Sequence, residues 1–90
     1  MTKHELKLND RYYDAVSTGK KTFEIRKNDR DYHIGDVLLF YRVDDNGEPI
    51  YSGKAGLQDI MVRVVDYIIT DRDFPDGLKD GYVILGIKAV

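Results

Sequence analysis

The chain has 90 residues, a formal net charge of −2, 42% hydrophobic and 33% charged residues, which is room for one small domain burying about 60–65% of the surface its unfolded form exposes. No apolar run approaches the roughly 18–20 residues of a membrane span, and a chain without cysteine has no disulfide framework, thiolate metal site or thiol nucleophile. The slight negative charge argues against coating nucleic acid by bulk positive charge, which depends on Lys and Arg neutralising phosphates.

The stretch Met1-Thr2-Lys3-His4-Glu5 carries no apolar signal core, so a cytoplasmic protein with no membrane partner is expected, and residues 1–90 read as a single domain. Charge is unevenly spread. Residues 1–30 hold eight Lys/Arg against five Asp/Glu, a balance of +3, whereas residues 31–90 hold six against eleven, a balance of −5. An anionic ligand is therefore expected to meet the first third, where Lys20, Lys21, Arg26, Lys27 and Arg30 are densest, although Glu24 and Asp29 sit among them and a solvated mixed-charge face is the plainer alternative.

In chain order, His4-Glu5-Leu6-Lys7-Leu8 alternates and predicts a first half-buried strand. Asn9 or Asp10 can cap a short helix over residues 10–18, with Tyr12, Ala15 and Val16 at helical spacing and Gly19 as a left-handed C-terminal cap. From Lys20 to Arg26 the period returns to two: Lys21, Phe23 and Ile25 share one face, Lys20, Thr22, Glu24 and Arg26 the other. Phe23 and Ile25 are expected to hold this strand in the core. Convergence of Lys21 with Glu24 and Arg26 then requires a bulge or bend after Gly19.

Residues 27–33 read as a polar loop, and Val37-Leu38-Leu39-Phe40-Tyr41 as a central strand. Asp44-Asp45-Asn46-Gly47 is the strongest turn signal and is expected to bring Pro49-Ile50-Tyr51 back beside residues 39–43. After an irregular connection over Ser52–Gln58, residues 60–70 predict the longest strand, with Met61, Arg63, Val65 and Tyr67 on one face, Ile60, Val62, Val64, Asp66 and Ile68 on the other, and both faces largely covered. In the polar loop 71–80, Phe74 is expected to plug the space beneath, with a lid as the alternative. Gly81–Lys88 predicts a final strand whose glycines mark a bend or a close backbone approach. Five or six mainly antiparallel strands with one short helix after the first strand give a mostly β, small α+β domain, read as a β-barrel because closure removes exposed edges.

Gly19-x-Lys21-x-x-Glu24-x-Arg26 resembles the G-x-K-x-x-E-x-R signature of ASCH domains, small β-barrels of the PUA-like superfamily. His4–Lys7, Lys21–Arg30, Gly35–Leu38 and Gly81–Ile84 extend the likeness to a largely bacterial and phage branch of that superfamily. The resemblance implies a PUA-like barrel with Lys21, Glu24 and Arg26 lining a cleft beside the helix, and RNA or a nucleotide-like molecule as partner. An amidohydrolase of acetylated cytidine in the same superfamily is similar around Gly19, Lys21 and Arg26 but uses a threonine nucleophile where this chain has Glu24. Threonine-type amidohydrolase activity is therefore not carried over, and Thr22 is not made its replacement.

The expected ligand-binding residues are Lys21, Glu24, Arg26, Lys27, Arg30 and Tyr12, with Tyr13 or Tyr32 as further stacking candidates for an unpaired base. If the protein is instead a small hydrolase acting on a modified nucleoside or nucleic acid, Lys21 and Glu24 are its proton-transfer pair. An interaction domain using an exposed strand edge or the acidic second part is a third reading. His4 and His33 are too far apart in sequence to argue for a metal and read as surface or capping residues; no metal and no cofactor are expected.

Overall fold

The computed structural model describes residues 1–53 and 55–90. His4, Leu6 and Leu8 point inward from β1 (Lys3–Asn9) while Lys3, Glu5 and Lys7 face out. The Asn9 side chain then accepts from the Arg11 N–H at 2.8 Å and caps α1 (Asp10–Ser17). The helix ends where Thr18 N–H donates to the Asp14 carbonyl and Gly19 N–H to the Val16 carbonyl, with Gly19 at φ 81°, a left-handed conformation that a residue without Cβ adopts freely.

Four more strands follow: β2 (Phe23–Lys27), β3 (Val37–Val43), β4 (Ile60–Thr70) and β5 (Tyr82–Lys88). They join β1 in one sheet of order β1-β3-β4-β5-β2. The β1–β3 pair is parallel and the other three are antiparallel, so the domain is mostly β with one short helix after its first strand. The sheet is a curled half-barrel: β1 and β2 are its two edges and share no ladder among the described residues. The register of β4 against β5 shifts between Val65 and Tyr67, a bulge of the kind that bends a strand and increases its twist.

The concave face holds the core, in which Leu8, Leu38, Phe40, Val65, Val83 and Leu85 are among the most deeply buried side chains. Tyr13 and Val16 bring α1 onto this core. Arg42 of β3 anchors the same helix: its Nε donates to Asp10 Oδ1 at 2.6 Å, its Nη1 reaches Asp59 at 3.0 Å, and its guanidinium lies 4.9 Å from the Tyr13 ring centre. The hydrogen bond to Asp10, with help from Asp59 and against the cost of burial, raises the Arg42 pKa above its ordinary value. No helix among the described residues is long and apolar enough to cross a membrane.

Several sequence expectations are met. The turn at Asp44–Gly47 closes with Asp44 N–H on the Glu48 carbonyl at 2.9 Å, and Pro49 and Ile50 return beside Val43 and Arg42. Gly86 sits at a close approach, since a Cβ there would lie 2.6 Å from Asp66 Oδ1 at the β4 bulge.

Others are corrected. The helix buries Tyr13 and Val16, and Tyr12 is left exposed, because a helix this short offers the sheet only one stripe. The bulge changes the phase of β4, so Tyr67 is 63% exposed while Ile68 packs against the core. The outer face of β4 is not covered, with Ile60 and Val62 exposed. Phe74 is 55% exposed and folds over Gly77; Leu78 is the buried residue of that loop.

His4 is not a surface residue. Its Nε2 lies 2.8 Å from Asp36 Oδ2 inside the core, with its ring 4.8 Å from that of Tyr32. Asp36 also accepts from the N–H groups of Thr2 at 3.0 Å and His33 at 2.9 Å. Burial alone would raise the Asp36 carboxyl, but the hydrogen bonds from His4, Thr2 and His33 outweigh it and hold the pKa at about 2. This pair ties the start of β1 and the loop before β3 together.

A candidate nucleic-acid interface at the seam between the edge strands

Alternation in β2 is kept, but its phase is the reverse of the hydropathy expectation. Glu24 is 4% exposed, while Phe23 is 44% and Ile25 54% exposed. The inward face of this edge strand is therefore the charged one, with Glu24 paired in register with the fully buried Leu85. A buried carboxylate is tolerated only when its charge is compensated. Two cations supply that compensation here.

Lys21 Nζ contacts Glu24 Oε2 and donates to the Phe23 carbonyl at 2.7 Å. On the other side Arg26 Nε donates to Glu24 Oε1 at 3.2 Å, and Nη2 of the same guanidinium lies 3.1 Å from that oxygen. Both carboxylate oxygens are thus engaged. The expected bend exists and takes a simple form: β2 starts only at Phe23, and Lys21 N–H still donates to the Ala15 carbonyl at 2.9 Å, so Lys21 leaves the helix end outside the strand and turns back onto Glu24.

Arg26 also crosses the seam. Its Nη2 donates to the Lys7 backbone carbonyl of β1 at 2.7 Å, and its guanidinium carbon sits 5.7 Å from the Phe40 ring centre. The segment Lys21–Glu24–Arg26–Lys7 is a continuous polar chain laid across the half-barrel's open side.

Three hollows follow this seam. The first, of about 360 Å³, is walled by Tyr12, Lys21, Phe23, Glu24 and Ile25. A second of about 360 Å³ shares Tyr12, Glu24 and Ile25 with the first and continues to Lys7, Arg26 and Lys27. The third, of about 370 Å³, has four cations (Lys7, Arg26, Lys27, Arg30) and two carboxylates (Glu5, Asp29) on its walls, with Tyr32 among them. Each is within the range of small-molecule sites, and their shared walls make one groove, apolar at the Phe23 end and cationic at the Arg30 end.

Of the residues expected to bind a ligand, Lys21, Glu24 and Arg26 are in mutual contact, Tyr12 walls the apolar end, and Lys27 and Arg30 are exposed at the cationic end. Tyr13 is buried behind the helix and faces none of the three hollows. Tyr32 walls the cationic hollow but is largely buried, and that burial raises its pKa above the ordinary value. His33 meets Asp36 through its backbone, its N–H donating to the Asp36 carboxylate and its carbonyl accepting from the Asp36 N–H at 3.0 Å, and no group of His, Asp or Glu fit to hold a metal occurs among the described residues. Lys7, Phe23 and Ile25 are groove residues as well. Lys7 carries no local signal, because its role depends on β1 lying across the seam from β2.

A curated relative, the uncharacterized 12.9 kDa protein in GpA 3'region of Escherichia phage P2, is 39% identical over 82 residues, a match that covers 91% of this chain and 64% of the relative. The chain thus spans less than two thirds of that relative's length. A family model described as "Domain of unknown function (DUF3850)" matches residues 3–87. The chain belongs to that family.

Proposed function

We propose that this domain is a PUA-like module of the ASCH type that binds RNA or a nucleotide-like ligand in the groove between β1 and β2. The observation that carries the reading is the convergence of Lys21, Glu24 and Arg26 in the open seam, flanked by an exposed aromatic end and an exposed cationic end. Lys27 and Arg30 supply the electrostatic contact to phosphate, and Tyr12 supplies a stacking surface for a base. The Lys21–Glu24–Arg26 chain fixes the strand between them.

Recognition is favoured over turnover. A hydrolase using Lys21 and Glu24 needs the carboxylate open to the substrate, whereas Glu24 is 4% exposed and ion-paired on both sides, to Lys21 and to Arg26. The testing experiment is a titration of fluorophore-labelled single-stranded RNA and of free nucleotides. Saturable binding that weakens with salt and with Lys27→Ala and Arg30→Ala is expected. Binding that these substitutions leave untouched would remove the groove from the account.

A further inference from the structure

The apolar end of the groove has a feature that its cationic end lacks. Tyr12, Phe23 and Ile25 are large apolar side chains held 44–54% exposed beside the Lys21–Glu24–Arg26 ion triad, where they contribute little to the core. Rings exposed in this way are stacking surfaces for a base. Lys21 Nζ lies 5.2 Å from the Tyr12 ring centre and 5.0 Å from that of Phe23, so a base resting on either ring comes within its reach.

An ammonium group has three N–H donors and no acceptor. Lys21 uses one on the Phe23 carbonyl and one on Glu24, and the third is not taken up among the described residues. Glu24, the other charged group of this hollow, is buried with both oxygens engaged. The Tyr12 hydroxyl can donate or accept and so does not discriminate. Lys21, its side chain 18% exposed against 6% for Glu24, is the more open of the two charged groups, so the hollow turns a cationic donor toward a base.

We infer that this hollow is a base pocket selecting nucleobases that turn a C4 or C6 carbonyl oxygen to Lys21, namely uracil and guanine, over cytosine and adenine, whose amino group at that position would meet donor with donor. The inference rests on the nucleotide-binding reading of the groove and names the base class within it. The phosphate end is provided for: β2 carries the groove from Phe23 to Lys27, about 13 Å at the usual strand rise, to where Lys27 and Arg30 stand exposed.

The test is calorimetric titration with uridine, guanosine, adenosine and cytidine 5′-monophosphates, alongside single-stranded U, A and C oligomers that separate a free nucleotide from an RNA segment as the source of the base. The expected result is a preference of about tenfold for uridine and guanosine monophosphates over cytidine and adenosine monophosphates, the scale of one charge-assisted hydrogen bond. Lys21→Met should abolish the preference and keep residual binding. Should that variant fail to fold, Tyr12→Ala and Phe23→Ala, both at exposed positions, should weaken nucleotide binding severalfold and leave inorganic pyrophosphate binding unchanged. Nucleotide binding without base preference, a preference that survives Lys21→Met, or indifference to both aromatic substitutions overturns the base pocket while leaving the cationic groove standing. Absence of any binding overturns both.

Discussion

Arg26 donates to the backbone carbonyl of Lys7 at 2.7 Å, so a side chain, not a backbone ladder, joins the two edge strands of the sheet. Unpaired strand edges invite association with other chains. Here the open side is crossed by one guanidinium that is itself held by Glu24, which keeps a groove at the seam.

Glu24→Gln should destabilise the protein by about 2–3 kcal/mol, since it leaves the Lys21 and Arg26 side chains, each about a fifth exposed, without their carboxylate. In a domain of this size that lowers Tm by roughly 10–20 °C. Urea denaturation measures the cost, and combining Glu24→Gln with Arg26→Leu should cost less than the two separate losses added together, because the partners share one interaction.

The phase of β2 is tested by apolar substitutions. Phe23→Ser and Ile25→Ser, on the exposed face, should each change stability by less than about 1 kcal/mol, whereas Leu85→Ala, at the buried register partner of Glu24, should cost about 2–5 kcal/mol. A large loss at Phe23 would mean that hydropathy, not charge compensation, sets the strand's inward face.

Asp36 makes stability depend on acid. Its folded pKa of about 2 lies below the ordinary 3.8, so folding favours the carboxylate. Its contribution is present above pH 3.8 and is lost as pH falls from there toward 2, on the order of 1–2 kcal/mol after solvent screening. Denaturation midpoints at pH 5, 3 and 2 should show the loss in the parent chain. Asp36→Asn should be less stable at pH 5 and should show a smaller fall between pH 4 and 2.

Much of the fold is written locally. The period-two runs, the Asn9 cap, the Gly19 helix end and the Asp44–Gly47 turn each rest on interactions between near neighbours, and each has its element, although β2 begins at Phe23 and not at Lys20. The phase of β2 is a different matter, since alternation is satisfied with either face inward. Hydropathy picks Phe23 and Ile25; the fold picks Glu24, because Lys21 and Arg26 compensate its charge beneath an edge strand. The pairs His4–Asp36 and Arg26–Lys7 are separated by 32 and 19 residues, and nothing in the local sequence at either end announces its partner. The β4 bulge likewise hides in an even apolar run, so Tyr67 and Ile68 read on the wrong faces.

Binding of a nucleic-acid ligand at the seam through Lys27 and Arg30 is tested by the salt dependence of single-stranded RNA binding by the parent chain and by the Lys27→Ala/Arg30→Ala double variant. Both residues are exposed, so stability should stay within about 1 kcal/mol. Saturable binding is expected in the parent chain, and a double variant with weaker binding whose slope of log K against log salt is shallower by about 1.4, at about 0.7 for each phosphate no longer neutralised. No saturable binding by the parent chain, or an unchanged affinity and slope in the double variant, would contradict it.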